Sequence, residues 1–208
     1  ALDFVGPLPV SKIHKWTHLL TMQDNFSRYM VVAGTDSCDA ETVAKELFQQ
    51  VIMRFGVVRN ILSDRGAAFE SAVFKILLKL LGIHKLRTTA YHPASNGALE
   101  RSHDTLAHIL ITKMVGRAQS SWEDHIHSIA FYFNTSYHSA IGTTPHQVVY
   151  GRPALLPVDL LFPTREVLNE TIPEHLVQLL QYQESLHDDV RAFNQERKEA
   201  TKRIYDQT

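Results

Sequence analysis

Three β-rich runs open this chain, and helical and strand patterns then alternate; that order leaves few folds available. Leu2 to Val5 is a short apolar run interrupted by Asp3 and closed by Gly6-Pro7-Leu8-Pro9, where two prolines forbid continued strand pairing. Thr17 to Met22 and Tyr29 to Ala33 flank Gln23-Asp24-Asn25-Phe26-Ser27-Arg28, a hairpin-turn sequence. The first three strands are therefore expected as an antiparallel meander. Asp39 starts a helix with Val43, Leu47, Val51 and Phe48, Ile52, Phe55 on adjacent rows and Gly56 at its end. Val57 to Leu62 reads as a buried strand that delivers Asp64 at its C-terminal edge. Ala67 to Leu81 reads as a helix with Phe69, Val73, Ile76, Leu77 and Leu80 inward, stopped by Gly82, and Ile83 to Thr89 as a fifth strand. A strand, helix, strand passage needs a parallel crossover while the opening meander is antiparallel. The expected fold class is thus α/β, a mixed five-stranded sheet flanked by helices.

Tyr91-His92-Pro93-Ala94-Ser95-Asn96-Gly97 is turn-rich, and a helix follows to about Met114 with Leu99, Leu106, Leu110 and Met114 inward. Glu100, next to Leu99, borders that core-facing stripe. A further helix is expected over Trp122 to Tyr137, broken by Gly142-Thr143-Thr144-Pro145 from a short element ending near Gly151. Thr171-Ile172-Pro173-Glu174 has a capping-box pattern, and beyond it Leu176, Leu179, Leu186, Val190 and Phe193 follow three- and four-residue steps with Gln183 at the missing position. This predicts a long C-terminal helical arm that packs on its own domain, links to another module or self-associates. The division expected is a core over residues 1–160 and an arm over 161–208.

No apolar stretch approaches the roughly 20 residues that cross a bilayer, so no membrane partner is expected. The single cysteine, Cys38, excludes an internal disulfide and suits a reducing compartment, as a buried or incidental thiol. The net charge of −1 conceals a split: fourteen basic against ten acidic residues over 1–117, and seven against twelve over 118–208. A phosphate-binding role, if any, belongs to the first part.

Ligands of open α/β sheets gather beyond the carboxyl ends of the strands. Asp3 on the opening strand, Asp64 in Ser63-Asp64-Arg65-Gly66 and Glu100 in Asn96-Gly97-Ala98-Leu99-Glu100-Arg101 would meet at one such edge. Singly, each has an ordinary role: an edge-strand carboxylate, a turn residue, a helix first-turn acid. Asp24 is the rival for the first position, and its Asp-Asn turn context accounts for it. Three clustered carboxylates repel one another unless they are protonated or hold a divalent cation, and all-oxygen donors suit Mg²⁺, with Mn²⁺ able to substitute.

Asp3 in Asp-Phe-Val-Gly-Pro-Leu-Pro, Asp64 in Ser-Asp-Arg-Gly, Tyr91-His92-Pro93 with Asn96-Gly97, and Glu100-Arg101 with His103 resemble the catalytic core of retroviral and gypsy-type retrotransposon integrases. Phe133-Asn134-Thr135-Ser136-Tyr137-His138-Ser139, Thr144-Pro145 and Gly151-Arg152-Pro153 resemble that family's trailing segment. The likeness covers about residues 1 to 160 in the family's order, with its thirty-five residues between Asp64 and Glu100. Asp104, where the family is often basic, and Ala98, where it is often polar, depart from the pattern. The resemblance implies a ribonuclease H-like fold, 3′-end processing and DNA strand transfer. It implies catalytic and metal-binding roles for Asp3, Asp64 and Glu100. Asp3 and Asp64 would share one Mg²⁺, and Asp3 with Glu100 would hold a second about 3.5–4 Å away. Backbone contacts to DNA are expected from Lys85, Arg87, His92, Ser95, Asn96 and Arg101. Element ends and target DNA, and further copies of the chain, are the partners implied, with action in the nucleus. The family's flanking zinc module and its DNA- or chromatin-binding module are not among these residues, and Ala1 in place of Met suggests a piece of a polyprotein. A transposase or nuclease of the same fold, or a host-adopted DNA- or protein-binding module without catalysis, are the alternatives.

Overall fold

A computed structural model describes residues 1–87, 118–161 and 172–206, together with Ser102, His103, Thr105, Leu106, Ile109, Leu110 and Thr112. Strands β1 (Leu2–Val5), β2 (His18–Gln23) and β3 (Met30–Thr35) form the antiparallel meander, with Asp3 opposite Thr21 and Leu20 opposite Ala33. β4 (Asn60–Ser63) joins β1 in parallel, Leu2 opposite Ser63, and β5 (His84–Arg87) joins β4 in parallel. The sheet order is β3-β2-β1-β4-β5, the mixed five-stranded sheet expected. β4 starts at Asn60 instead of Val57. A strand extends only as far as a neighbour bonds it, and pairing with β5 begins at Asn60 opposite His84.

Between β3 and β4 the chain runs as one helical rod in three parts. They are α1 (Ala40–Glu46), a π-helical stretch (Leu47–Ile52) and α2 (Met53–Phe55). Asp39 caps it by accepting from the Thr42 N–H, and Gly56 leaves it at φ +86°. The π stretch re-phases the buried face. Val43 and Leu47 are four residues apart, but the next buried residue is Ile52, five further on, so Phe48 and Phe55 turn outward. The helix expected over Ala67 to Leu81 is also interrupted, into α3 (Ala67–Glu70) and α4 (Ala72–Leu80). Ser71 is extended (ψ 154°) and its hydroxyl accepts from the Phe74 N–H, so α4 begins afresh. Phe69, Phe74 and Leu78 fill the core in consequence, while Val73, Ile76 and Leu80 stay exposed.

Period-two alternation sorts the strands between two helical layers. Leu2, Leu20, Met22 and Ala33 pack with Val43, Leu47, Phe69, Phe74 and Leu78. On the other face, Leu19, Met30 and Val32 pack with Leu106, Trp122, Ile126, Ile129 and Phe133. The residues that turn toward this second layer from β1 and β2 include Asp3 and Thr21. The helix expected from Trp122 begins earlier, as a 3₁₀ stretch (Gln119–His125), and continues as α5 (Ile126–Thr135). Cys38 is exposed, not buried.

Residues 1–24 and 30–133 make one compact unit, and residues 25–29 and 134–208 another. The second contains α6 (Pro145–Tyr150), capped by Thr144 and closed by Gly151 at φ +68°, then α7 (Pro157–Leu161) and α8 (Ile172–Asp206). Val190 of α8 is enclosed with Ile141, Val148 and Phe26. His187 Nε2 and Gln183 Nε2 reach the carbonyls of Val148 and Val149, at 2.9 and 3.1 Å. The arm thus packs on residues 141–151. Thr171 of the expected capping box lies outside the described residues, as do Leu99, Met114 and residues 88–97. Among the described residues no helix is long and apolar enough to cross a membrane.

Candidate active site

Asp3 sits mid-β1 on the face of the second helical layer, half-buried, and Asp64 follows directly on β4. Because Leu2 pairs with Ser63 in parallel, Asp3 and Asp64 are the next residues along two bonded strands, whose spacing is about 4.8 Å. Asp64 lies just past the carboxyl end of β4, and Asp3 is the second residue of β1. Asp64 is exposed, with Oδ1 accepting from the Gly66 N–H at 2.9 Å, a side-chain turn that fixes the carboxylate. A Cβ at Gly66 would stand 3.0 Å from that oxygen, so glycine leaves the carboxylate its place.

Asp3 is held from two sides. Its Oδ1 accepts from the Phe4 N–H at 2.8 Å, and its Oδ2 faces His103 Nδ1 at 3.7 Å. The opposite ring nitrogen, Nε2, lies 2.9 Å from the hydroxyl of Thr21, which is fully buried and also 2.9 Å from the Asp3 carbonyl. One residue before His103, Ser102 is buried and bonded to Gln23 at the end of β2, Nε2 to Oγ at 3.0 Å. The segment that follows Glu100 is therefore tied to β2, the immediate neighbour of the Asp3 strand. Glu100 itself, with His92, Ser95, Asn96 and Arg101, lies outside the described residues.

Lys85 and Arg87 point to one face of the edge strand β5 and converge on Glu70 at the end of α3. Lys85 Nζ donates to Glu70 Oε1 at 2.6 Å and to the Phe69 carbonyl. Arg87 grips both carboxylate oxygens, at 2.9 and 2.8 Å, and Lys75 adds a third cation at 3.0 Å. Bonds from Lys85, then Lys75, then Arg87 hold the Glu70 carboxyl down at about 2. Three cations on one carboxylate leave this corner with a surplus of two positive charges. The sequence marks Lys85 and Arg87 but not Glu70 or Lys75, which helical periodicity presents as ordinary surface residues.

The donor set at the sheet edge suits a hard divalent cation. The described residues supply two carboxylates, one on β1 and one directly after β4, and each has one oxygen anchored by a backbone N–H. Among the described residues there is no group of three His, Cys, Asp or Glu close enough to hold a metal; Glu100, the third acid expected, lies outside them.

Residues 1–93 match the integrase core domain family. Over 156 residues, 75% of this chain, it is 28% identical to the Retrovirus-related Pol polyprotein from transposon 412 of Drosophila melanogaster. Over 186 residues, 89% of this chain, it is 30% identical to the Pro-Pol polyprotein of Simian foamy virus type 3 (strain LK3). It spans 12% and 16% of the lengths of those two relatives. Two solved structures share the fold. One is a simian T-cell lymphotropic virus intasome in complex with PP2A regulatory subunit B56 gamma (TM-score 0.62, 19% identity, 82% of this chain and 58% of that one). The other is the catalytic core domain of BIV integrase (TM-score 0.57, 23% identity, 71% of this chain and 90% of that one). The mixed sheet with its two helical layers is thus the ribonuclease H-like fold of those cores. With that fold, the match over residues 1–93 and the Pol polyprotein relatives, this chain belongs to the integrase core family of retroviruses and retrotransposons.

Proposed function

We propose that the chain is the catalytic core of a gypsy-type element's integrase, a DNA strand transferase that trims a 3′ end and joins it to target DNA. The observation that carries this reading is that Asp3 and Asp64 each follow directly on the Leu2–Ser63 pair that joins β1 to β4 in parallel, within a match to the integrase core domain. Asp3, Asp64 and Glu100 would hold two Mg²⁺ ions, for which Mn²⁺ can substitute. Bound there, the metals supply a deprotonated attacking oxygen and charge stabilisation at the leaving oxygen. The chain's own share is positioning. The Phe4 and Gly66 N–H groups each anchor one carboxylate oxygen and so orient the two acids. Water serves as nucleophile for end trimming, and the freed 3′-hydroxyl serves for joining.

The surplus charge at Lys75, Lys85 and Arg87 supports DNA backbone contact at that corner, with His92, Ser95, Asn96 and Arg101 assigned the same task. The likeness to a chain of an intasome supports assembly of several copies on DNA. Chromosomal DNA as target places the action in the nucleus.

Mg²⁺-dependent joining of a labelled DNA end to plasmid tests the reading, with Asp64→Asn as the control. Joining by the unsubstituted chain and near-complete loss in Asp64→Asn are expected. Undiminished joining in Asp64→Asn would overturn the assignment. DNA binding without joining by the unsubstituted chain would favour a host-adopted module, and cleavage without joining a nuclease.

A further inference from the structure

We propose that Glu70 is a positioning residue that holds Lys75 and Arg87 together as a clamp for a backbone phosphate of duplex DNA; this rests on the reading above of that corner as a DNA contact. Arg87 stands in register beside Ser63, the residue before Asp64, and Glu70 follows Asp64 by six positions. The clamp therefore borders Asp64 on the β5 side.

The break at Ser71 assembles it. Five residues apart on one unbroken helix, Glu70 and Lys75 would project about 140° from each other and could not meet. Because the backbone is extended at Ser71 and α4 starts afresh, Lys75 Nζ comes within 3.0 Å of Glu70 Oε2. Lys85 serves a different end. Its side chain is 12% exposed and its ammonium is divided between Glu70 Oε1 and the Phe69 carbonyl, so it acts as a strut that ties β5 to α3. Lys75 and Arg87, by contrast, are 46% and 55% exposed. Arg87 lays its Nε and Nη2 edge on the carboxylate and Lys75 offers it one N–H, so the Nη1 pair of Arg87 and two N–H groups of Lys75 are not engaged by Glu70.

Three cations on one carboxylate leave positive charge over, and a DNA phosphate carries the single negative charge and the outward oxygens that such donors take, with no demand on sequence. Long cationic side chains lose rotamer freedom when they grip a ligand, and Glu70 has fixed these two beforehand. Removing the acid raises the net positive charge and yet weakens DNA binding, the reverse of what charge alone dictates.

Fluorescence anisotropy of a labelled DNA duplex of arbitrary sequence, titrated with the full chain in EDTA over a range of salt concentrations, separates the two. EDTA keeps the metal site out of the measurement. Lys75→Ala and Arg87→Ala each weaken binding and make the slope of log K against log salt shallower by about 1. Glu70→Gln weakens binding at least about 5-fold, the loss expected when two long side chains must be immobilised anew, and makes the slope shallower as well. In a chain already carrying Lys75→Ala and Arg87→Ala, Glu70→Gln weakens binding no further. Glu70→Asp, which keeps the charge but draws the carboxylate back by a methylene, shifts affinity in the same direction as Glu70→Gln and carries the comparison should Glu70→Gln fail to fold.

Tighter or unchanged binding in folded Glu70→Gln overturns the positioning role, by showing the acid to be a competitor for the cations or a bystander. Further weakening in the doubly substituted background overturns it too, by making Glu70 a structural residue only. Unchanged affinity and slope in Lys75→Ala with Arg87→Ala removes DNA contact at this corner together with the clamp and leaves the reading of Asp3 and Asp64 standing. Failure of the unsubstituted chain to bind the duplex removes the clamp and the DNA-contact reading alike.

Discussion

Glu123 keeps its charge where water hardly reaches: its side chain is 2% exposed, inside the 3₁₀ stretch 119–125. Burial by itself would push the carboxyl up. The N–H groups of His14 and Ile13, the Ser11 hydroxyl and the His14 ring outweigh that and bring it down to about 2. The loop held in this way begins where β1 ends. Trp122 Nε1 donates to the Pro9 carbonyl at 2.6 Å, Lys12 N–H to the Ser120 carbonyl at 2.9 Å, and the His14 ring stacks on Trp16 at 4.2 Å. A carboxyl whose folded value lies below its unfolded value, about 4.3, stabilises the protein above that value and loses its contribution as pH falls through the folded one. Stability should therefore decline between pH 4.5 and 2, with Glu123 and Glu70 both contributing. Glu123→Gln is expected to lower stability at pH 7 and to flatten that acid limb, read from urea midpoints at pH 2.5, 4 and 7. An acid limb as steep as that of the unsubstituted protein would contradict the role given to Glu123.

Among the secondary elements, Ser71 decides more than its size suggests. Its extended backbone ends α3 and its hydroxyl caps α4, so Phe74 and Leu78, in place of Val73, Ile76 and Leu80, reach the core. Ser71→Ala should destabilise by about 1 kcal/mol, measured by denaturant unfolding. The strands, the Asp39 cap and the Gly56 and Gly151 exits were legible in the sequence because each is set by residues within a few positions. The Ser71 restart and the π stretch at 47–52 were not, since a periodicity count assumes one unbroken α-helix. The places of Asp3 in β1 and of Asp64 in the turn after β4 were legible for a related reason: each stands in a short strand or turn motif with its own local signature. The grip on Glu70 joins residues 70, 75, 85 and 87, and the approach of Thr21 to His103 spans 82 positions. No local pattern encodes either.

For the molecule as a whole, the division into two units sets where loss of packing is felt. Val190, enclosed with Ile141, Val148 and Phe26, anchors α8 near its middle, and Gly142 at φ +68° lets the Phe193 ring lie where a Cβ would stand 2.8 Å from it. Val190→Ala removes two buried methyl-sized groups, a loss of about 1.5–2.5 kcal/mol. The effect should be confined to the second unit: faster amide exchange over residues 172–206, with β1, β2 and β4 unchanged. Equal acceleration in the strands would show that the two units open together. Residues 25–29 belong with residues 134–208, made more than a hundred positions later. As the chain leaves the ribosome, Phe26 has to wait for 164 further residues before Val190 exists to cover it, so the turn between the second and third strands stays open to chaperones over that interval.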